Sequence, residues 1–142
     1  MQISNKNIIS TSVDMAIPFY DVDSMGITWH GNYLKYFEMA RCELLKLIDY
    51  DYPAMQLSGY GWPVVDLRVK YIKPTVFKQE ITVTASLVEY ENRLKIEYLI
   101  IDHKTKQTLT SAYSIQVAVD LKTEEMCFVS PDILLNKIRK LL

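Results

Sequence analysis

One stretch of helical periodicity interrupts a chain that otherwise alternates, and that single switch limits the architectures open to it. From Ile9 to Phe19 the side chains Ile9, Thr11, Val13, Met15, Ile17 and Phe19 fall on alternate positions, the period of a strand with one buried face. Pro18 marks its frayed end. From about Gly31 to Ile48 the period lengthens: Tyr33, Phe37, Ala40, Leu44 and Leu47 recur at helical spacing, while Lys35, Glu38, Glu43 and Lys46 take the polar positions. The spacing predicts one helix of about five turns. Asn32 is its expected N-cap, with a side-chain oxygen able to accept a first-turn N–H, and the helix should stop near Tyr50-Asp51-Tyr52-Pro53.

Alternation then resumes. Val65, Leu67, Val69 and Tyr71 stand against Asp66, Arg68 and Lys70, and Ile81, Val83, Ala85 and Leu87 against Thr82, Thr84 and Ser86. Leu94 to Ile101 and Leu109 to Leu121 continue the series. Polar turns at Glu91-Asn92-Arg93 and at Asp102 to Lys106 suit antiparallel hairpins. Ser130-Pro131-Asp132 reads as an N-cap followed by proline at the first helical position, opening a short helix with Ile133, Leu134, Ile138 and Leu141 inward. Strand, long helix and four further strands specify an α+β domain whose antiparallel sheet buries one face against one helix. A single helix cannot cover five strands, so the open edges and uncovered apolar positions point to a homodimer. No repeat or linker divides the 142 residues, which are read as one domain, 1–142.

Charge and cysteine content narrow the function classes. Sixteen basic and 17 acidic side chains leave a net charge of -1, which provides no overall field to gather nucleic acid or an anionic membrane. Cys42 and Cys127 lie far apart without metal-ligand spacing, so they read as reduced thiols, with no metal site and no redox cofactor expected. The Met1 to Lys6 start lacks the apolar core of a leader, and no later run approaches the ~20 apolar residues of a membrane span. A cytoplasmic protein is the expectation.

The densest concentration of chemistry is Phe19-Tyr20-Asp21-Val22-Asp23-Ser24-Met25-Gly26-Ile27-Thr28-Trp29-His30-Gly31-Asn32-Tyr33, which joins the first strand to the long helix. A loop ending in a helix N-terminus presents unpaired N–H groups and the positive end of the dipole, which polarise a carbonyl oxygen placed there. Acyl transfer requires that. Asp23 is placed to attack such a carbonyl, or to orient and deprotonate a water. The same residues have a structural reading: Asp-Ser-Met-Gly is ordinary turn chemistry, and a histidine at a loop-to-helix junction is commonly a hydrogen-bonding group.

Residues 21 to 41, Asp-Val-Asp-Ser-Met-Gly-Ile-Thr-Trp-His-Gly-Asn-Tyr-Leu-Lys-Tyr-Phe-Glu-Met-Ala-Arg, resemble the signature of the 4-hydroxybenzoyl-CoA thioesterase-like family of acyl-CoA thioesterases. Val69-Lys70-Tyr71-Ile72-Lys73-Pro74 resembles that family's strand entering a proline-marked turn, so the likeness spans nearly the whole chain. It implies the hotdog fold, an antiparallel sheet wrapped around one long central helix, and hydrolysis of an acyl-CoA or acyl-ACP thioester to a carboxylic acid and a thiol. Carried over by position, Asp23 is the catalytic carboxylate and His30 the motif histidine, whose neighbouring N–H polarises the carbonyl. Gly26 and Tyr33 become substrate-binding positions, with Tyr33 lining the acyl pocket, and the assembly becomes a homodimer or homotetramer. Phe19 and Trp29 stand where many relatives carry tyrosine, which reshapes the pocket without removing the carboxylate.

Further candidates have weaker claims. Glu38 matters because some hotdog thioesterases carry their carboxylate on the long helix, but it sits three residues before Arg41, a spacing that suits an ion pair. Arg93, Lys70 and Lys73 are candidates for CoA phosphates. His103 lies in a polar turn and Cys42 on the helix, and neither has partners that suggest a nucleophile. The Trp62-Pro63-Val64-Val65 stretch could reach across a dimer. Two rival functions are a hotdog hydratase or dehydratase, whose Asn-Pro between aspartate and histidine is absent here, and a non-catalytic acyl-CoA-binding protein, for whose customary DNA-binding segment the chain has no room.

Overall fold

Alternation in β1 (Ile9–Ala16) becomes alternating burial, because β1 pairs antiparallel along its whole length with β4 (Glu80–Glu89), placing Val13 opposite Val83 and Met15 opposite Ile81. A computed structural model describes residues 7–142; the Met1 to Lys6 segment, on which the leader reading bears, lies outside the described residues. After β1 come α1 (Tyr33–Ile48), α2 (Tyr52–Leu57), β2 (Tyr60–Gly61) and β3 (Val64–Tyr71). After β4 come β5 (Leu94–Asp102), β6 (Thr108–Gln116), β7 (Val119–Asp120) and α3 (Asp132–Arg139). The main sheet runs β1-β4-β5-β6-β3, and β2 pairs with β7 as a small second sheet. Every pairing in the main sheet is antiparallel, as the hairpin turns predict.

The core lies between α1 and one face of this sheet. Ile81, Val83, Ala85 and Leu87 of β4 and Leu94, Ile96, Tyr98 and Ile100 of β5 are buried beneath Tyr33, Tyr36, Phe37, Ala40, Leu44, Leu45 and Ile48. Burying each large aliphatic side chain contributes about 1.5–3 kcal/mol. Leu47, expected inward, is 51% exposed. The buried stripe rotates along the helix from Tyr36 towards Leu45 and Ile48, as a helix crossing a twisted sheet requires.

Other boundaries depart from the sequence reading for local reasons. Phe19 is 71% exposed, because the 3-10 turn Phe19–Asp21 ends the alternation after buried Ile17. The Asn32 side chain makes no capping bond; a second 3-10 turn, His30–Asn32, leads into α1, and Asn32 Nδ2 donates instead to the Asp21 carbonyl at 2.8 Å. The Tyr50 to Pro53 stop also starts α2, where Asp51 accepts from Ala54 N–H at 3.1 Å and proline occupies the first turn. The Leu109 to Leu121 strand divides into β6 and β7. In α3 the N-cap is Pro131, Ser130 is buried upstream, and Leu134, Leu135 and Ile138 face inward while Ile133 and Leu141 are exposed.

At one margin, among the described residues, β3 pairs only with β6. Its other edge is open, and Val65, Leu67 and Tyr71 are exposed there. No helix among the described residues is long and apolar enough to cross a membrane.

Candidate active site

Asp21 closes the loop between β1 and α1. Its main-chain carbonyl accepts Trp29 N–H at 3.0 Å and Asn32 Nδ2 at 2.8 Å. Its buried carboxylate accepts Lys35 Nζ at 2.6 Å and the Tyr36 hydroxyl at 2.7 Å. Burial, reinforced by the Asp21 hydrogen bond and charge, pushes the Tyr36 hydroxyl well above its ordinary pKa, so it remains a donor. On the opposite side Thr75 anchors the loop: Thr28 N–H donates to its carbonyl at 2.9 Å and the two threonine hydroxyls lie 2.5 Å apart. The motif thus contains two aspartates of different character. Asp21 is internal and fully engaged, a role the sequence reading missed because its partners lie at 14 and 15 residues' remove.

Asp23 is exposed. Its Oδ1 accepts Met25 N–H at 2.8 Å, its N–H donates to the Ile27 carbonyl at 2.8 Å, and its carbonyl accepts Gly26 N–H at 3.0 Å. These bonds make the tight turn that the structural reading of Asp-Ser-Met-Gly describes. Gly26 sits at φ +78, and a Cβ placed there would meet nothing within 4 Å, so the glycine serves the left-handed backbone and not a close approach. Beyond the Met25 bond, no side chain among the described residues engages the Asp23 carboxylate.

The helix start follows at once. Asn32 N–H bonds back to Trp29 and Tyr33 N–H to His30, while the N–H groups of His30 and Gly31 have no hydrogen-bond partner among the described residues, as expected of donors leading a helix. Trp29 lies over Gly31 so closely that a Cβ there would overlap its ring carbons Cζ3 and Cη2. The exposed His30 imidazole stands between Trp29, ring centroids 5.0 Å apart, and Tyr71, at 6.2 Å. The Tyr71 hydroxyl donates to the His30 carbonyl at 3.0 Å. Tyr33 is 2% exposed; its hydroxyl accepts Thr75 N–H at 3.2 Å and meets Thr75 Oγ1 at 3.1 Å, placing it behind the loop in the single chain.

Asp23, Gly26, His30 and Tyr33 therefore gather around one loop, and Arg93 does not. Arg93 follows the far end of β4, whose ten residues span roughly 30 Å, and its Nε donates to both oxygens of Glu89 at 3.1 Å. Glu38 pairs with Arg41 and also accepts Cys42 Sγ at 3.7 Å. Lys70 is exposed along β3 and Lys73 donates to Gln107 at 3.2 Å. His103 Nδ1 meets Thr82 Oγ1 at 2.9 Å. Trp62 is buried in its own chain, donating to the Tyr50 hydroxyl at 3.2 Å, whereas Val64 and Val65 are exposed.

Comparison with known proteins bears on the fold and the family. YneP of Bacillus subtilis (strain 168), named as a candidate acyl-CoA thioesterase, is 32% identical over 98 residues, which is 69% of this chain and 65% of that protein. The chain covers less than two thirds of the length of the curated relatives it matches. Among solved structures, Slr0204, a 1,4-dihydroxy-2-naphthoyl-CoA thioesterase from Synechocystis, superimposes with a TM-score of 0.82 at 16% identity over 93% of this chain and 97% of that one. A DHNA-CoA thioesterase from Staphylococcus aureus gives 0.78 at 24% identity over 93% and 92%. These likenesses show the hotdog fold. A family model described as the Thioesterase-like superfamily matches residues 17–136, from the end of β1 through the loop, the long helix and the remaining sheet, and the chain belongs to that family.

Proposed function

We propose that the protein hydrolyses acyl thioesters of CoA or acyl carrier protein to a free carboxylic acid and a thiol. The observation that carries this reading is one loop that holds the Asp23 carboxylate open to solvent and runs into a helix start whose His30 and Gly31 N–H groups have no partner among the described residues. A thioester carbonyl oxygen accepting from that helix start gains stabilisation as negative charge develops on it, an effect worth roughly 10²–10³ in rate for one donor.

Asp23 then supplies the second element of acyl transfer. As nucleophile it forms a mixed anhydride with the acyl group, the C–S bond breaks, the thiolate takes a proton, and water hydrolyses the anhydride. As general base it removes a proton from the attacking water and the same products result. Gly26 sets the backbone turn that presents Asp23, and Tyr33 backs the acyl side of the loop. The exposed apolar edge of β3 supports a homodimer or homotetramer built on one domain per chain, with the partner excluding water from the loop. Arg93 reaches the CoA phosphates in this arrangement only when a partner subunit supplies it.

The test is free-thiol release from a panel of acyl-CoAs of increasing chain length together with one aroyl-CoA, followed by carrier-protein thioesters. Turnover of any member supports the reading. A folded protein that releases thiol from none of them sinks it.

A further inference from the structure

A cavity lies between α1 and the edge strand β3, lined from Leu34 near the start of the helix to the charged Glu38 and Arg41. Tyr71 of β3, outside this lining, donates to the His30 carbonyl. Leu67, four residues back along β3 and so on the same strand face, joins Leu34 and Phe37 of α1 in lining the cavity of about 220 Å³. Its floor includes Tyr98 and Ser114, whose hydroxyls lie 2.7 Å apart. Its far end is formed by Glu38, Arg41 and Val64.

The dimensions fit one acyl chain. At 1.5 Å of rise per residue, Glu38 stands roughly 10 Å beyond Gly31 along the helix, a span an extended chain covers in about nine bonds at ~3.5 Å per three bonds. An acyl group whose carbonyl rests on the His30 and Gly31 N–H groups would therefore bring its far end to the Glu38–Arg41 pair.

The chemistry of that end is selective. The Arg41 side chain is 12% exposed and pairs with Glu38, giving no net charge, and Arg41 Nε is buried without an acceptor among the described residues. The Arg41 charge also opposes the burial-driven rise in the pKa of Tyr98 and Tyr52, so the guanidinium faces both phenols. A ligand carboxylate finds the Arg41 charge already neutralised by Glu38 and enters a half-buried site with one excess negative charge, and a methyl end strips water from the pair without replacing its hydrogen bonds. A hydroxyl both donates to Glu38 and accepts from the arginine or phenol donors.

We propose that the Glu38–Arg41 pair is the specificity-determining end of the acyl subsite, selecting acyl groups that carry an uncharged hydroxyl about nine bonds from the carbonyl. This rests on the thioesterase reading, and both residues act by touching the acyl end and not the reacting atoms.

The experiment compares decanoyl-CoA, 10-hydroxydecanoyl-CoA and the corresponding ω-carboxylated CoA ester by thiol release. In parallel, the three CoA-free acids are titrated into the full chain by calorimetry. The hydroxylated thioester is expected to show about tenfold higher kcat/KM than the decanoyl ester, carried by KM, the worth of one or two net hydrogen bonds. Glu38→Gln and Arg41→Met should bring that ratio towards one, with Glu38→Gln the milder test of folding. Equal use of the three, a preference for the alkyl or carboxylate end, or a ratio unchanged in Glu38→Gln overturns the proposal. If no thioester is turned over, the acids decide: tighter binding of 10-hydroxydecanoate that Glu38→Gln removes upholds the subsite while the hydrolase reading fails. Equal or absent binding of the acids overturns the subsite.

Discussion

The Tyr36 hydroxyl donates to the buried Asp21 carboxylate at 2.7 Å, and through this bond the first turns of α1 hold the loop that carries Asp23. Burial and then Asp21 raise the Tyr36 pKa, so the folded protein favours the neutral phenol. The resulting stability is fully present below the unfolded tyrosine value of about 10 and is lost as pH rises above it. Tyr36→Phe removes the bond and should cost about 1–2 kcal/mol at neutral pH. Denaturant unfolding from pH 7 to 11 should find the native protein losing stability above about pH 10 and the variant lacking that component; parallel pH profiles would contradict it.

Asp23→Asn should leave folding nearly unchanged, because the side chain is exposed and an amide oxygen can still accept Met25 N–H. Turnover should fall by about 10²-fold or more, since the amide is neither a nucleophile nor a base at neutral pH. Thiol release and thermal unfolding on the same preparations separate the two effects. Near-native turnover would move the chemistry from Asp23 to a water held by the backbone.

Gly31→Ala places a methyl group inside the Trp29 ring, so the indole must leave its seat against the helix start. The expected cost is about 1–3 kcal/mol, the usual range for overpacking, with a changed tryptophan near-ultraviolet dichroism and lower kcat/KM. The double variant Gly31→Ala with Trp29→Ala should recover most of the stability lost. Additive losses in the double-mutant cycle would show that the two positions do not meet.

Val65→Lys tests the assembly. The residue is 56% exposed on the open edge strand, so a lone chain should tolerate the charge within about ±0.5 kcal/mol. In an assembly that buries this edge, an unpaired lysine should shift light scattering towards the monomer mass. An unchanged oligomer would place the interface elsewhere.

The sequence determined the layout of this protein wherever one local rule acted alone. Alternation located β1, β3, β4 and β5, the helical period located α1, and polar turns separated the hairpins, because side-chain period follows directly from backbone geometry. It located the candidate chemistry too, since Asp23 and the helix start belong to one continuous segment. Tertiary structure decided what depended on distant partners. Asp21 became the internal anchor because Lys35 and Tyr36 converge on it, and Asn32 keeps the expected N-cap position while its side chain donates to the Asp21 carbonyl, which lies within reach. Leu47 faced outward because a twisted sheet shifts the buried stripe around a straight helix. Glu38 and Arg41, a simple i,i+3 pair in sequence, became the end of a cavity only when β3 was laid alongside α1. Periodicity records which way a side chain points along its own element; it holds no record of which element will stand opposite.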